Sequence, residues 1–589
     1  MYDAWLRAQL ATNQVALKFP EAGDVYDYVW SPDDGGQWRK WMETIDQFKV
    51  DNKLSFSNIN FRLWLTSMPT AAFPVAIMQV SVKMTKEPPR GLRANLKTTF
   101  LKMNDEGLSA TNKPSEYRKL LFGLCFFHAL IIERKKFGPL GWNVGYTFNE
   151  TDLDICIAQL ELYVNQYDDI PYAVLSQLTS VVNYGGRITD DKDMRTADII
   201  VSDFMTPQIL ADNYRFSRSG TYYSIAADES SPLASYLDYI DSLPMMPEPE
   251  VFGMHDNASI TFALNEADEN CAIIQSLQPR TSGGGGMSRE DVMAKAAQDM
   301  EATLPVPWDV DAVYLLYPTA YDECLNTTIV QEVTRFTRLG KVMVETLKTF
   351  QLALKGLVVL SSELEAMGNF IYDGKVPELW SSKAYPSLKP LPLWYEDLLK
   401  RLTFLQGWID KGIPDVLWIS VFFFPQGFMT ANVQNFARRT SVPVDTVEFG
   451  HILLAEAADE LVAKPRDGCY VNGLFLEGAR WDKRKKTLTD PRPKELFAPM
   501  PVIHLLPQVD RETPTKGIYR CPVYKILTRT GTLSTTGHST NFVFWLEVPS
   551  NKVTIFRNSL VSETNAQVKL CDQSYWIKAG CACFCALKY

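Results

Sequence analysis

LLFGLCFFHALIIERKKFGPLGWNVGYTFNETDL, residues 120–153, decides how the rest of the sequence is read. Leu120, Leu124, Phe127 and Ile131 recur at steps of four, three and four residues. Leu121, Phe126, Leu130 and Ile132 occupy the other faces. A helix that is apolar on every side belongs inside a larger body or a membrane. The run from Leu120 to Ile132 is too short to span a bilayer, which takes about 20 apolar residues. The spacing therefore predicts a buried core helix. Its stop is also written locally. Arg134, Lys135 and Lys136 suit the negative end of the helix dipole, Gly138 can turn left-handed, and Pro139 forbids continuation. Leu140, Trp142, Tyr146 and Phe148 are expected to fold back over the helix as an apolar strap.

The same residues carry a resemblance. LLFGLCFFHALIIERKKFGPLGWN followed by FNETDL resembles the start of the helical lid of the last AAA+ module of dynein heavy chains, and its wording is closer to the axonemal branch than to the cytoplasmic one. Further along, NYGGRITDD (183–191) and PEVFGMHDNASIT (249–261) resemble later parts of that lid. Gly374, Lys375, Val376 and Pro377 keep the Gly-Lys-x-Pro text of the dynein C-terminal domain. GLFLEGARWD (473–482) and RTGTLSTTGHSTNF (529–542) resemble the end of that domain in axonemal dyneins.

Composition sets the outer bounds. The chain has 589 residues, 46% of them hydrophobic and 12% aromatic, which is ample for several buried cores. No apolar run reaches membrane-spanning length. MYDAWLRAQLATNQ lacks the apolar core of a signal peptide, and ten scattered cysteines then read as reduced thiols of an intracellular protein. A net charge of −10 argues against a general nucleic-acid binder.

Six segments follow in order. Residues 1–60, with VYDYVWSPDDGGQWRKWMETI around a turn, resemble the entry of an earlier AAA+ module. Residues 61–110, with FRLWLTSMP and FPVAIMQVSVKMTKEPPRGLRANL, resemble a remnant of the last large subdomain. Modules, stalk and linker normally lie between such pieces, so the sequence is expected to be a truncated or rearranged descendant, a fragment or a faulty gene model. Residues 111–277 are read as the lid and 278–300 as a flexible linker, because QPRTSGGGGMSRE has no apolar rhythm. Lid and C-terminal domain are expected to be separable there.

Residues 301–455 are read as the helical half of the C-terminal domain. A stripe from Val330 through Leu347, Leu357 and Leu360 to Met367 breaks near Lys355 and Gly356. Another helix covers Leu398 to Trp408. Residues 456–589 shift to a period of two, and short strands there predict a small antiparallel β-barrel. The fold class is α+β: a mostly helical AAA+ lid followed by a helical bundle and that barrel.

Candidate chemistry is weighed residue by residue. Thr66 and Ser67 end a strand where AAA+ modules sense phosphate, and Arg93 stands where such modules present an arginine to a neighbour. A buried strand and a solvated loop are the preferred readings. G-x-x-x-x-G-K-[ST], whose amides and Lys cradle phosphates, occurs nowhere, and Gly283–Gly286 has no Lys after it. Arg187 is expected to pair with Asp190 or Asp191 across a turn in which Gly185 and Gly186 permit positive φ. Cys581, Cys583 and Cys585, with Cys521 as a fourth thiol, are read as core residues rather than zinc ligands. Ser534, Thr535, Thr536, His538 and Ser539 lack an acid and an elbow, so they are read as a loop rather than a hydrolase site. His128 is expected to be a hydrogen-bonded core histidine.

No catalytic, cofactor-binding or metal residue is therefore assigned. The resemblance implies a microtubule-motor component of the axoneme, in cytoplasm and cytoskeleton, which closes and regulates an AAA+ ring. ATP and Mg would be bound by modules outside this stretch. Its partners would be the remaining dynein modules or other dynein subunits, with microtubules reached only indirectly, and no nucleic acid or membrane. The rival reading is a stand-alone scaffold or regulatory protein derived from a dynein C-terminus.

Overall fold

The computed structural model describes residues 79, 82–84, 89–226, 232–277, 288–512, 517–531, 540–551 and 573–588. The molecule divides into Met1–Glu87 and Pro88–Tyr589, and the elements below all belong to the second unit. The readings of residues 1–60, Thr66, Ser67, Gly283–Gly286 and Ser534–Ser539 lie outside the described residues.

Two hydrophobic cores organise this unit. The first, from Leu92 to Ala258, is built on α1 (Leu92–Phe100), α2 (Pro114–Arg134), α3 (Glu150–Gln166), α4 (Asp191–Val201), α5 (Pro232–Ser242) and α6 (Asn257–Leu277). Pro114 starts α2 at a position where its missing N–H is no loss, and Glu116 favours the first turn. Every residue from Leu120 to Ile131 is buried, as the all-round apolar pattern requires. Gly138 turns at φ 59°, and the indole of Trp142 folds back to donate to the Ile131 carbonyl at 3.0 Å. Leu140, Trp142, Tyr146 and Phe148 are all buried, so the strap forms.

Helix α3 is capped within FNETDL: the Asn149 amide donates to the Asp152 carboxylate at 2.9 Å. Its buried face is Leu153, Cys156, Leu160 and Val164, whereas Ile155 is 51% exposed and lies one step off that face. The Asn183–Arg187 turn also differs from expectation. It is a wide helical turn running into a short 3-10 turn, and neither Gly185 nor Gly186 has positive φ. A side chain at Gly185 would press on the Ser180 carbonyl, so the residue is needed for closeness rather than for handedness.

The second core runs from Met293 to Cys585. It contains α7 (Arg289–Thr303), α8 (Val310–Leu316), α9 (Cys324–Leu354), α10 (Ser362–Tyr372), α11 (Leu391–Lys411) and α12 (Pro425–Thr440). Helix α7 corrects the expected linker, whose last part, 289–300, is helical. Ser288 accepts from the Asp291 amide as an N-cap, and Met293, Ala297 and Met300 bury one face. Helix α9 buries Val333, Phe336, Leu339, Met343, Leu347 and Phe350 and stops where Gly356 turns at φ 72°. The stripe does not continue through the break. Leu357 is 71% exposed, and burial resumes at Leu364 and Met367 after Ser361 caps α10.

The strands are β1 (Val416–Trp418), β2 (Val447–Leu453), β3 (Cys469–Asn472), β4 (Phe475–Glu477), β5 (Arg480–Asp482), β6 (Thr487–Thr489), β7 (Phe497–Pro499), β8 (Ile503–Val509), β9 (Ile518–Tyr524), β10 (Phe542–Pro549) and β11 (Ala582–Phe584). The expected antiparallel barrel is not what they build, and no closed barrel occurs among the described residues. They form two open sheets, β1-β3-β8-β2 and β10-β9-β11-β4-β7, with β5 and β6 as a separate pair. Each larger sheet contains one parallel pairing, β1 with β3 and β11 with β9. In β10 a register shift between Phe542 and Phe544 breaks the simple alternation, so Val543 is buried together with Phe544, Leu546 and Val548. A short helix, α13 (Ser574–Lys578), leads into β11. No described helix is long and apolar enough to cross a membrane.

Candidate functional site: the polar seam between the two cores

The two cores meet along a seam rich in hydrogen bonds and ion pairs. Its centre is Arg134, the last residue of α2, which is 0% exposed. Its Nε donates to the Gly141 carbonyl at 2.9 Å, Nη1 to the Phe252 carbonyl at 2.7 Å, and Nη2 to the Lys578 carbonyl at 2.8 Å. The planar guanidinium thus ties together the strap, the approach to α6 and the end of α13. Close approach depends on Gly580, where φ is 69° and a Cβ would run into the Leu140 carbonyl oxygen. Arg134 does stand in the last turn of α2, as the dipole reading has it, and its charge in addition faces three carbonyls in the interior. Burial lowers its pKa to about 9; nearby Asp193 opposes the shift and Arg529 adds to it.

Around Arg134 the same logic repeats. Asn143 donates through Nδ2 to the Tyr524 hydroxyl at 2.9 Å and to Asp190 at 3.1 Å. The Asp193 carboxylate accepts from the Asn143 and Val144 amides at 2.9 and 3.1 Å, and burial raises its pKa to about 6. Asn257, at the start of α6, donates to the Arg492 and Glu495 carbonyls at 2.8 and 2.9 Å and accepts from the Lys494 amide at 2.8 Å. Lys578 pairs with Asp203 at 2.6 Å. Lys192 sits 4.3 Å above the Phe542 ring, and Arg195 sits 4.9 Å from Trp545. Behind them, buried Arg529 donates to Glu477 and to the Gly580 carbonyl, each at 2.8 Å. A cavity of about 20 Å³ lies among Arg134, Asn143, Asp193, Tyr519, Tyr524 and Arg529, enough for one water.

The residues singled out in the sequence are placed elsewhere. Arg93 pairs with Asp241 at 3.2 Å on the surface of the first core. Arg187 bonds Asp152 at 2.7 Å instead of Asp190 or Asp191; Asp190 caps α4 and meets Asn143. His128 Nδ1 lies 2.8 Å from the Tyr184 hydroxyl inside the first core, and burial lowers its pKa to about 4. Cys521, Cys581, Cys583 and Cys585 are all buried, with the Cys521 and Cys583 sulfurs 3.6 Å apart. Among the described residues no group of three or more His, Cys, Asp or Glu side chains is arranged to hold a metal ion. Asn143, Asn257 and Lys578 are residues of the seam that sequence reasoning does not single out, and Arg134 is read there only as a dipole-compensating charge. Their partners lie far away in sequence, so no local pattern marks them.

This arrangement holds two bodies in one orientation. Apolar surfaces can slide over each other, but carbonyls and a guanidinium bond only in register. The class it defines is a two-body protein in which a helical body is locked to a helix-and-sheet body. A family model for the C-terminal domain of dynein heavy chains matches residues 264–585. The model for the AAA lid domain of these proteins matches 117–258, and that for their region D6 P-loop domain matches 37–85. The protein belongs to the dynein heavy chain family. It is 47% identical over 549 residues to dynein axonemal heavy chain 1 of Rattus norvegicus, covering 93% of this sequence and 12% of that protein. Dynein axonemal heavy chain 3 of Homo sapiens is 43% identical, with 93% of this sequence and 13% of that protein covered. Dynein axonemal heavy chain 12 of Mus musculus is 42% identical, with 93% and 17% covered. The sequence therefore spans under a fifth of the length of these curated relatives.

Proposed function

We propose that this protein serves as the lid and C-terminal portion of an axonemal dynein heavy chain, a microtubule-motor component of cilia and flagella. It closes and regulates the AAA+ ring without hydrolysing ATP itself. The observation that carries this reading is the similarity to axonemal heavy chains across 93% of the sequence, through both bodies and the seam between them. The absence of any G-x-x-x-x-G-K-[ST] string supports placing ATP and Mg on other modules. Its partners are those modules or other dynein subunits, and it meets microtubules only through them, in the cytoskeleton of the axoneme. The stand-alone scaffold reading is not favoured, because the similarity covers lid and C-terminal domain alike rather than one docking module. The test is replacement of the matching segment of an axonemal heavy chain by this sequence. Retained ATP-driven microtubule gliding supports the proposal. Loss of gliding in a correctly folded chimaera, or ATP turnover by this protein alone, overturns it.

A further inference from the structure

Three thiols of the second core meet where β9 runs beside β11. Cys521, Cys581 and Cys583 are buried in the same hydrophobic cluster. Cys583 stands level with Val523 in the parallel pairing of the two strands, so the same register carried two residues back sets Cys581 opposite Cys521. Side chains two residues apart share a face of the sheet, which brings the three sulfurs together. The Cys521 and Cys583 sulfurs are 3.6 Å apart, and hydrogen bonding links Cys521 to Cys581 as well. The two neighbours differ in what they can become. Opposed residues on adjacent strands lie about 5 Å apart, within the separation a disulfide spans, whereas diagonal ones lie about 7–8 Å apart. Cys521 and Cys581 are the pair that can close.

Their surroundings set these thiols apart from other buried ones. Cys125 and Cys469 are simply pushed up by burial. Burial acts on Cys521 too, but hydrogen bonds from Cys581 and Cys583 and the charges of Arg529 and Arg195 outweigh it and hold this thiol below its ordinary value. Cys581 and Cys583 are held well above theirs by burial and by their bonds to Cys521. The cluster thus favours one thiolate among three sulfurs, and the thiolate is the form that reacts with peroxides. Cys581 also belongs to the wall of the one-water cavity of the seam, beside Arg134, Asn143, Asp193 and Arg529. Hydrogen peroxide is larger than water by a single oxygen atom. The residues just before Cys581 hold the seam: the Lys578 and Gly580 carbonyls accept from Arg134 and Arg529 at 2.8 Å each. Tyr519 of β9 donates to the Cys581 carbonyl at 2.6 Å.

We propose that Cys521 and Cys581 form a peroxide-sensitive pair, which closes to a disulfide and locks the α13–β11 segment, with its two seam carbonyls, against β9. The site rests on the thiols alone and is independent of the dynein reading. The proton of the Cys581–Cys521 hydrogen bond moves to Cys521, and the Cys581 thiolate attacks one oxygen of hydrogen peroxide. The O–O bond breaks, hydroxide leaves and takes a proton from solvent, and Cys581 becomes a sulfenic acid. The Cys521 sulfur then attacks the Cys581 sulfur, the S–O bond breaks, and the hydroxyl departs as water with the Cys521 proton. One peroxide and two thiols give one disulfide and two waters. In the test, full-length protein carrying Cys271→Ser, which removes an exposed thiol, is treated with hydrogen peroxide, alkylated in denaturant and peptide-mapped. The expected product is a Cys521–Cys581 disulfide, absent before treatment and reversed by dithiothreitol, with a raised thermal midpoint while it lasts. Cys581→Ala should abolish it, and Cys583→Ala, which removes only the diagonal neighbour, should leave it in place. Mapping of the parent protein decides the matter even where a variant fails to fold. No disulfide at Cys521 in the folded protein overturns the proposal, as does a Cys521–Cys583 bond in its place or closure only after denaturant has opened the fold. A thermal midpoint unmoved by oxidation overturns the lock.

Discussion

Arg134 and Lys578 are 444 residues apart in sequence, yet the Arg134 guanidinium donates to the Lys578 carbonyl at 2.8 Å. With its two other carbonyl partners this bond converts a helix terminus into a joint between two bodies.

Arg134→Met should therefore act on the joint rather than on α2. Three buried acceptors would lose a charged donor, each bond of that kind being worth about 1.5–3 kcal/mol, so a loss of at least about 3 kcal/mol is expected. Arg134→Lys keeps the charge but not the planar fork, and should lie between wild type and Met. Urea unfolding measures both. A Met variant within about 1 kcal/mol of wild type would remove Arg134 from the centre of the seam.

Asn257→Ala removes three bonds to the 492–495 segment. Amide hydrogen exchange should quicken at Lys494 and its neighbours while α9 stays protected, with a stability loss of about 2 kcal/mol. Unchanged exchange at 492–495 would count against a role for this contact.

His128 makes stability pH-dependent. Its pKa falls from 6.5 unfolded to about 4 in the buried state, first because of desolvation. The unfolded state then binds more protons between those values, so stability is full above about pH 6.5 and is lost as pH falls toward 4. Asp193, raised from 3.8 to about 6 by burial, acts with the opposite sign and gains stability over much of the same descent. The two effects partly cancel in wild type, which is why the variant is informative. The stability difference between wild type and His128→Gln should shrink by about 2 kcal/mol from about pH 7 to about pH 4.5. A difference flat across that range would show that His128 does not titrate as described.

Nicking between the bodies should not separate them. Arg289 lies in α7, bonded to Asn369 and stacked 4.8 Å from Tyr372, so Arg280 is the better tryptic site. After cleavage the two fragments should elute together in native gel filtration and part only in denaturant, held by the seam. Separation under native conditions would restore the simpler picture of two independent domains.

Legibility follows the range of the interaction. Helix α2, its stop at Gly138 and Pro139, and the break at Gly356 can all be read, because each depends on neighbours within a turn or two. Leu357 and Leu360 mislead because apolar spacing runs on through a break that only packing reveals. Arg134 reads as a dipole-compensating charge since nothing local names Lys578 or Phe252 as its partners. The same limit applies to Arg187, whose partner Asp152 lies on another helix, and to the strands. Their period is visible, but a parallel pairing such as β1 with β3 is decided by residues far apart in sequence.

Strand β11 pairs with β9 on one side and β4 on the other, although both precede it by many residues. During synthesis, at about 5–20 residues per second, the first core is complete long before β11 emerges. The five-stranded sheet meanwhile waits with its centre missing, β9 and β4 offering bare edges to each other or to a chaperone. Lys578 lies in the same late segment, so the centre of the sheet and the third carbonyl of Arg134 both become available only once residues 574–584 have been made. Ribosome pausing or chaperone dwell upstream of residue 574 would lengthen the life of that open-edged intermediate, and with it the risk that two nascent polypeptides pair where one should close.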